Sequence, residues 1–112
     1  MACVRPILFA VFFLATNTIA AADDQDTSVR SGEAVFEAHC ANCHTGGFGG
    51  FFTGAPKVGK KKDWESLAPK GVDTLTANTT AGTEGMPPRA ECAACTDDEI
   101  RAAVEYMLEE SH

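Results

Sequence analysis

Cys40-Ala41-Asn42-Cys43-His44 is the stretch of sequence that decides the fold. Two thiols separated by two residues can form thioether bonds with the two vinyl groups of a haem, and the adjacent imidazole is then held beside the iron. CxxCH is the pattern of covalent c-type haem attachment. The stretch therefore predicts that Cys40 and Cys43 bind one haem c covalently and that His44 is an axial ligand of its iron.

Two other kinds of site also use closely spaced cysteines, and Cys92 and Cys95 form a second CxxC pair. A thioredoxin-like redox site needs a strand before the motif within a βαβ unit, and no such pattern precedes Cys40. A four-cysteine zinc site more often has about 15 to 20 residues between its pairs, far fewer than separate Cys43 from Cys92. Haem binding is the favoured interpretation, with a zinc or disulfide module as the alternative.

The composition limits the size and the class of the protein. Its 112 residues include nine Lys and Arg against sixteen Asp and Glu, which gives a net charge of -7. This length is sufficient for one small domain. The acidic balance argues against binding to nucleic acid, because affinity for phosphates comes largely from cationic side chains.

The first residues have the pattern of a secretory signal peptide. Arg5 precedes an apolar block at residues 7–15, and the small residues Ala20-Ala21-Ala22 precede an acidic pair. The block is roughly half of the ~20 residues that a membrane-spanning helix needs, so an uncleaved anchor is the less favoured interpretation. We predict a signal peptide at residues 1–22, export to the periplasm without stable membrane insertion, and a flexible segment at residues 23–30.

Helix caps and hydrophobic periodicity predict the elements of the remaining domain, residues 31–112. Ser31 can cap a helix over residues 32–40, and a capping box starts a helix over residues 97–109. Two short helices are predicted between them, at residues 64–67, capped by Asp63 and stopped by Pro69, and at about residues 72–78. No segment alternates with period two, so the predicted fold is all-α with long loops.

Residues 45–54 contain five glycines and three phenylalanines. Glycine is unfavourable inside a helix, so the segment is predicted to be a loop. The rings of Phe48, Phe51 and Phe52 are equally compatible with covering an apolar ligand and with filling a small core.

The sixth ligand of the iron would decide the function, and four residues are candidates. Met107 lies on the apolar face of the last predicted helix, where packing is the more common role. His112 ends the chain, and His39 lies on the same helix as the attachment motif. Met86 lies on a stiff proline-rich segment that can reach the opposite haem face, and it is the predicted ligand. Two strong ligands suit single-electron transfer, whereas an open sixth position would suit a small haem enzyme or a sensor.

Several segments together resemble the bacterial cytochrome c5 family over Gly32 to about Glu109. They are His44, Gly54-Ala55-Pro56-Lys57-Val58-Gly59, Trp64, Gly85-Met86-Pro87-Pro88-Arg89, Cys92-Ala93-Ala94-Cys95 and the closing helix. The resemblance implies a small class I cytochrome c domain in which about four helices surround one covalently attached haem.

The resemblance also implies roles for individual residues. Cys92 and Cys95 would form a disulfide, and the Pro56 carbonyl would accept the ring N–H of His44. Trp64 would lie near the haem edge or a propionate.

Two features depart from the family pattern. The segment at residues 45–53 is longer than usual, and Ala90-Glu91 stands where a glycine pair is more common. Phe36 and Tyr106 nevertheless match the aromatic residues that pack where the first and last helices cross in this fold.

The resemblance implies an electron carrier rather than an enzyme. We predict a monomer or weak dimer. Its partners would be a membrane cytochrome complex, an oxidase or a reductase, which would dock transiently at the haem edge. Lys57, Lys60, Lys61 and Lys62 form a basic run. They could steer an acidic partner at long range, or they could simply keep a loop solvated.

Overall fold

The structure, a computed structural model, describes residues 29–112. The predicted signal peptide and most of the predicted flexible segment lie outside the described residues. The α-helices are α1 (Gly32–Val35), α2 (Ala41–His44), α3 (Phe48–Thr53), α4 (Lys61–Trp64), α5 (Gly71–Ala81) and α6 (Asp97–Glu109). A π-helical turn at Phe36–Cys40 joins α1 to α2, and 3₁₀ turns lie at Ala68–Lys70 and Pro88–Glu91. No strand occurs within residues 29–112, which confirms the predicted all-α fold.

The first helix starts where the sequence predicts and extends four residues further. The Ser31 hydroxyl accepts the backbone N–H of Ala34, 3.2 Å away. The backbone then stays helical through the π turn, where the Ala41 N–H donates to the Phe36 carbonyl. The helical segment ends at His44 instead of the predicted Cys40. The apolar periodicity stops at Cys40, so the pattern gave no signal for the last turn.

The predicted loop at residues 45–54 is wrong over Phe48–Thr53, which form α3. Close packing on α2 accounts for this helix despite its glycines. A Cβ on Gly50 would lie 2.2 Å from the Cys43 carbonyl oxygen, so only glycine permits this approach. Tertiary packing here overrides the poor helix propensity of glycine.

The prediction of α6 is confirmed, with its bounds and its cap. The Thr96 hydroxyl accepts the Glu99 N–H at 3.2 Å, and the Glu99 carboxylate accepts the Thr96 N–H at 2.9 Å. Gly32 lets α1 cross α6 closely, because a Cβ there would lie 2.1 Å from the Ala102 carbonyl oxygen. The buried apolar core consists of Val35, Phe36, Cys40, Trp64, Cys92, Cys95, Ile100, Ala103, Val104, Met107 and Leu108.

The middle of the chain differs from the prediction. Helix α4 ends at Trp64, where the predicted helix at residues 64–67 begins, and Pro69 lies inside a 3₁₀ turn. Asp63 does not cap a helix, since its Oδ2 accepts the Lys57 N–H at 3.0 Å. Helix α5 is longer than the predicted residues 72–78. Within residues 29–112, no helix has both the length and the apolar character needed to span a bilayer.

Arg30, which the sequence assigns to the flexible segment, is attached to the domain. Its Nε lies 2.8 Å from Oε1 of Glu99, and its second guanidinium nitrogen donates to Oε2 at 3.0 Å. The Arg30 backbone N–H also donates to this carboxylate. The packed part of the chain therefore includes Arg30, one residue earlier than predicted.

Candidate functional site

One cavity of about 460 Å³ brings the predicted site residues together. This volume is in the range of small-molecule and cofactor sites. The cavity is mostly apolar, and helices α2, α5 and α6 and the loops around Pro56 and Met86 form its walls. The predicted residues that line it are Cys40, Cys43, His44, Pro56, Trp64 and Met86.

His44 is buried, and a hydrogen bond fixes its ring. Its Nδ1 lies 2.7 Å from the Pro56 carbonyl oxygen, which is the contact that the resemblance implies. Because a carbonyl can only accept, Nδ1 must carry the proton, and Nε2 keeps its lone pair. The His44 carbonyl also accepts the Val58 N–H at 2.8 Å. The ring is thus oriented, with Nε2 available to a metal.

Lys57, the residue after Pro56, is itself held at both its carbonyl and its N–H. The Trp64 indole N–H donates to the Lys57 carbonyl at 2.9 Å, and the Asp63 carboxylate accepts the Lys57 N–H. Trp64 lines the cavity, and its ring centroid lies 6.2 Å from that of His44. Its indole N–H is bonded within the protein, and its position near the haem edge or a propionate stays a prediction. The sequence gave no signal for Asp63 in this role.

The cysteines of the attachment motif are free thiols. Cys40 is buried, and Cys43 is partly buried. Burial raises the pKa of the Cys40 thiol to about 11, and the neighbouring Cys43 raises it further. Cys40 is therefore a neutral thiol near pH 7.

The second CxxC pair is in a different state, because Cys92 and Cys95 are joined by a disulfide. The ligand atoms of His39 and of these two cysteines lie within 4.8 Å of one another. The two sulfurs are bonded to each other, however, so they do not offer thiolates to a metal. The structure does not form the four-cysteine zinc site that the sequence left open.

The four candidates for a sixth ligand occupy different positions. Met86 lines the cavity on a turn in which Met86 and Thr83 exchange two backbone hydrogen bonds of 3.0 Å. Met107 and His39 also line the cavity, and Met107 is buried in the core that α6 contributes. His112 is exposed and does not line it. The turn with Thr83 fixes the backbone at Met86 beside the cavity.

Helix α5 contributes side chains that the sequence did not indicate. Leu75, Asn78 and Thr79 line the cavity. The helix has no clear apolar face, and none of its residues is fully buried. A periodicity argument could therefore not have found which of its side chains face the site.

The arrangement fits a covalently attached haem c. Cys40 and Cys43 supply two unpaired thiols, and His44 supplies an imidazole whose Nε2 is not used by the protein. Met86 supplies a thioether on the same cavity. Imidazole and thioether are both established axial ligands of haem iron.

Comparisons with known proteins agree with this fit. Residues 27–107 match the family model described as cytochrome c oxidase, cbb3-type, subunit III. A cytochrome c5 from Ectopseudomonas mendocina is 38% identical over 80 residues, which cover 70% of this chain and 87% of that protein. A cytochrome c5 from Azotobacter vinelandii is 40% identical over 80 residues, covering 70% of this chain and 92% of that protein.

A solved structure is also similar to the chain. It is the cytochrome c in the crystal structure of an electron transfer complex of nitrite reductase with cytochrome c. The TM-score is 0.65 at 34% sequence identity, and the match covers 72% of this chain and 94% of that one. The chain therefore belongs to the class I cytochromes c, as a cytochrome c5-like member of a family that carries one covalently attached haem c.

Proposed function

We propose that the protein is a soluble periplasmic carrier of single electrons and not an enzyme. Cys40 and Cys43 hold the haem through thioether bonds, and His44 and Met86 are the axial ligands of its iron. The observation that carries the proposal is the convergence of these four residues on one cavity, with Nδ1 of His44 bonded to Pro56. The His44 ring can then offer only Nε2 to a metal.

A bound haem c supplies a one-electron couple. The protein's part is to keep both ligands in place while the charge of the site changes. His44 is held by the Pro56 carbonyl, and the backbone of Met86 is held by Thr83. A thioether ligand in an apolar cavity favours the less charged ferrous form, so the reduction potential is higher than at a site with two histidines. With His44 and Met86 both bound to it, the haem iron would have no position open to a substrate.

The periplasmic assignment rests on the signal peptide at residues 1–22 and on the disulfide between Cys92 and Cys95. Disulfides persist in oxidising compartments and are rare in the cytosol. After cleavage of the signal, the chain starts at about Asp23 and lacks the apolar block at residues 7–15. Mass spectrometry of the exported protein tests this point, because an uncleaved chain is heavier by the 22 residues of the predicted signal.

The partners are redox proteins of a respiratory chain, such as a membrane cytochrome complex, an oxidase or a reductase. The similar cytochrome c solved in complex with nitrite reductase supports this class. The basic run of Lys57, Lys60, Lys61 and Lys62 steers an acidic partner, since no lysine within residues 29–112 forms a salt bridge. Rates of electron transfer to such a partner fall as ionic strength rises.

The first experiment is an optical spectrum of the protein exported by cells that have the haem-maturation machinery. Two bound axial ligands give a low-spin spectrum, and methionine ligation adds a weak long-wavelength charge-transfer band in the ferric form. We expect Met86→Ala to lose this band and Met107→Leu, the matched control, to retain it. A high-spin wild-type spectrum would indicate an open sixth position and a catalytic or sensing role. A protein without haem would contradict the proposal as a whole.

A further inference from the structure

Helix α3 exposes three aromatic side chains that neither fill the core nor line the cavity. Phe48, Phe51 and Phe52 are 83%, 77% and 70% exposed. Phe52 lies edge-on to both other rings, with centroids 4.9 Å from Phe48 and 5.4 Å from Phe51. The three rings therefore form one continuous apolar surface, which we call the phenylalanine surface. Contiguous exposed apolar surface of this kind marks an interaction site.

The phenylalanine surface lies beside the redox centre. On its inner side, Gly50 packs against the Cys43 carbonyl, one residue from His44. At its C-terminal end, Thr53 lines the cavity, and its carbonyl lies 3.4 Å from the position of a Cβ on Gly85. Helix α3 thus borders both the attachment motif and the loop that carries Met86. A molecule bound to the rings would lie next to the rim of the cavity.

Positive charge borders the phenylalanine surface. The aliphatic part of Lys57 lies about 3.2 Å from the position of a Cβ on Gly46, two residues before α3. Lys60, Lys61 and Lys62 follow Lys57 closely in the sequence and are exposed. These lysines are positively charged, whereas the net charge of the whole chain is -7. The charge beside the rings is therefore opposite to that of the molecule as a whole.

We propose that the phenylalanine surface is the docking site for a redox protein that presents an apolar patch bordered by carboxylates. This inference rests on the proposed function. The lysines attract the carboxylates at long range, and the rings are buried on contact. A partner seated there is adjacent to Cys43 and to the cavity. Docking on α3 therefore gives the electron a shorter path between the cavity and the partner than docking on a surface remote from the cavity.

The area favours a transient partner over a stable dimer. The three rings offer about 450 Å², taking roughly 200 Å² for a whole phenylalanine side chain. A stable interface buries about 800 Å² per partner, whereas transient redox encounters bury less. In a symmetric dimer through the phenylalanine surface, the lysines of one copy would also face those of the other. A second copy is therefore a poor occupant.

The test uses the haem-loaded protein on gold electrodes coated with a mixture of methyl-terminated and carboxylate-terminated alkanethiols. This monolayer reproduces the chemistry of the proposed partner. We expect the interfacial electron-transfer rate of the triple variant Phe48→Ser/Phe51→Ser/Phe52→Ser to fall at least roughly tenfold, as for loss of a central hot spot. The matched control is Val29→Ser, which changes an exposed apolar residue outside the surface and should leave the rate unchanged.

The controls separate failure of docking from failure of the electron-carrier function. The triple variant should keep the wild-type optical spectrum, reduction potential and rate of oxidation by ferricyanide, which is small and needs no docking surface. If the wild type binds no haem or does not cycle, the proposed function fails. If it cycles and the triple variant matches it on the monolayer, only the docking inference fails.

Two further measurements test other occupants of the surface. Sedimentation with phosphatidylglycerol vesicles detects binding to an anionic membrane, and analytical ultracentrifugation detects a dimer. We expect the wild type to remain monomeric and unbound. Vesicle binding or dimerisation that the triple variant abolishes would assign the rings to a membrane or to a second copy, and would overturn the inference.

Discussion

The orientation of the His44 ring depends on the peptide between Pro56 and Lys57. Asp63 holds this peptide through the N–H of Lys57, and Trp64 holds the next peptide through the Lys57 carbonyl. Groups that hold the hydrogen-bond partner of a metal-bound histidine change the basicity of that histidine. A firmer hydrogen bond at Nδ1 makes the imidazole more basic. Trp64 is thus a positioning residue for His44, the proposed iron ligand, in addition to filling the core.

Trp64→Phe keeps an aromatic ring in the core but removes the donor to Lys57. We expect the reduction potential to rise, because a looser Lys57 backbone weakens the hydrogen bond of His44 to the neighbouring Pro56 carbonyl, which makes His44 less basic and stabilises the ferric form less. We also expect the free energy of unfolding to fall by about 1–3 kcal/mol, the usual effect of leaving a carbonyl without its partner. Voltammetry and denaturant unfolding measure the two effects. Asp63→Asn, which keeps an acceptor for Lys57, should change the potential less; an unchanged potential in Trp64→Phe would contradict the positioning role.

Backbone strain is concentrated after Pro88, where three consecutive residues are left-handed. Arg89, Ala90 and Glu91 have φ of 57°, 50° and 60°. This conformation costs about 1–2 kcal/mol for each residue with a side chain. The resemblance places a glycine pair at Ala90-Glu91 in related sequences, which is consistent with a backbone that suits glycine. The departure from the family pattern therefore has a physical cost in this chain.

Ala90→Gly should relieve part of this strain and raise the free energy of unfolding by about 1 kcal/mol. Ala93→Gly is the control, because Ala93 is exposed and its φ is not positive. There the added freedom of the unfolded chain should lower stability or leave it unchanged. Urea unfolding of the three proteins measures the difference. Equal midpoints for Ala90→Gly and Ala93→Gly would show that the left-handed backbone stores no strain.

At the scale of elements, α6 could be predicted from the sequence and α3 could not. The capping box and the apolar spacing of α6 are local signals, and the structure contains both the predicted cap and the predicted buried face. Helix α3 depends on contact with α2, which is not visible in a local pattern. The same reason applies to the site: CxxCH is a local motif, whereas the bonds of Trp64 and Asp63 to Lys57 and the cavity side of α5 depend on the tertiary fold.

Gly50→Ala tests whether packing on α2 holds α3 in place. The new methyl group would lie 2.2 Å from the Cys43 carbonyl oxygen, so backbone must move. We expect a loss of about 1–3 kcal/mol in the free energy of unfolding, as for other overpacked sites. Gly47→Ala is the matched control, since its Cβ would meet its nearest neighbour at an ordinary 3.6 Å. Equal stability of the two variants would mean that α3 does not need its contact with α2.

At the scale of the whole molecule, the Glu99 carboxylate joins Arg30, just before α1, to the N-terminus of α6. Glu99 accepts from the Arg30 guanidinium, the Thr96 N–H and the Arg30 N–H. The Arg30 side chain is the largest cause of its low pKa, which falls from 4.5 to about 2, and the backbone donors add to it. The buried carboxylate thus secures both the first residues of the domain and the N-terminus of its last helix.

This low pKa predicts how stability depends on pH. Between about pH 4.5 and 2, Glu99 is protonated in the unfolded chain but still ionised in the folded one. The unfolded state therefore binds more protons than the folded state in this range. The contribution of the ionised Glu99 carboxylate to stability is complete above pH 4.5 and is lost as the pH falls towards 2. We expect the free energy of unfolding of Glu99→Gln to be lower than that of the wild type at pH 6, with the difference shrinking towards pH 2. Glu109→Gln, at an exposed position near the other end of α6, should follow the wild-type profile. A constant difference between wild type and Glu99→Gln from pH 6 to pH 2 would show that the ionised carboxylate does not link Arg30 to α6.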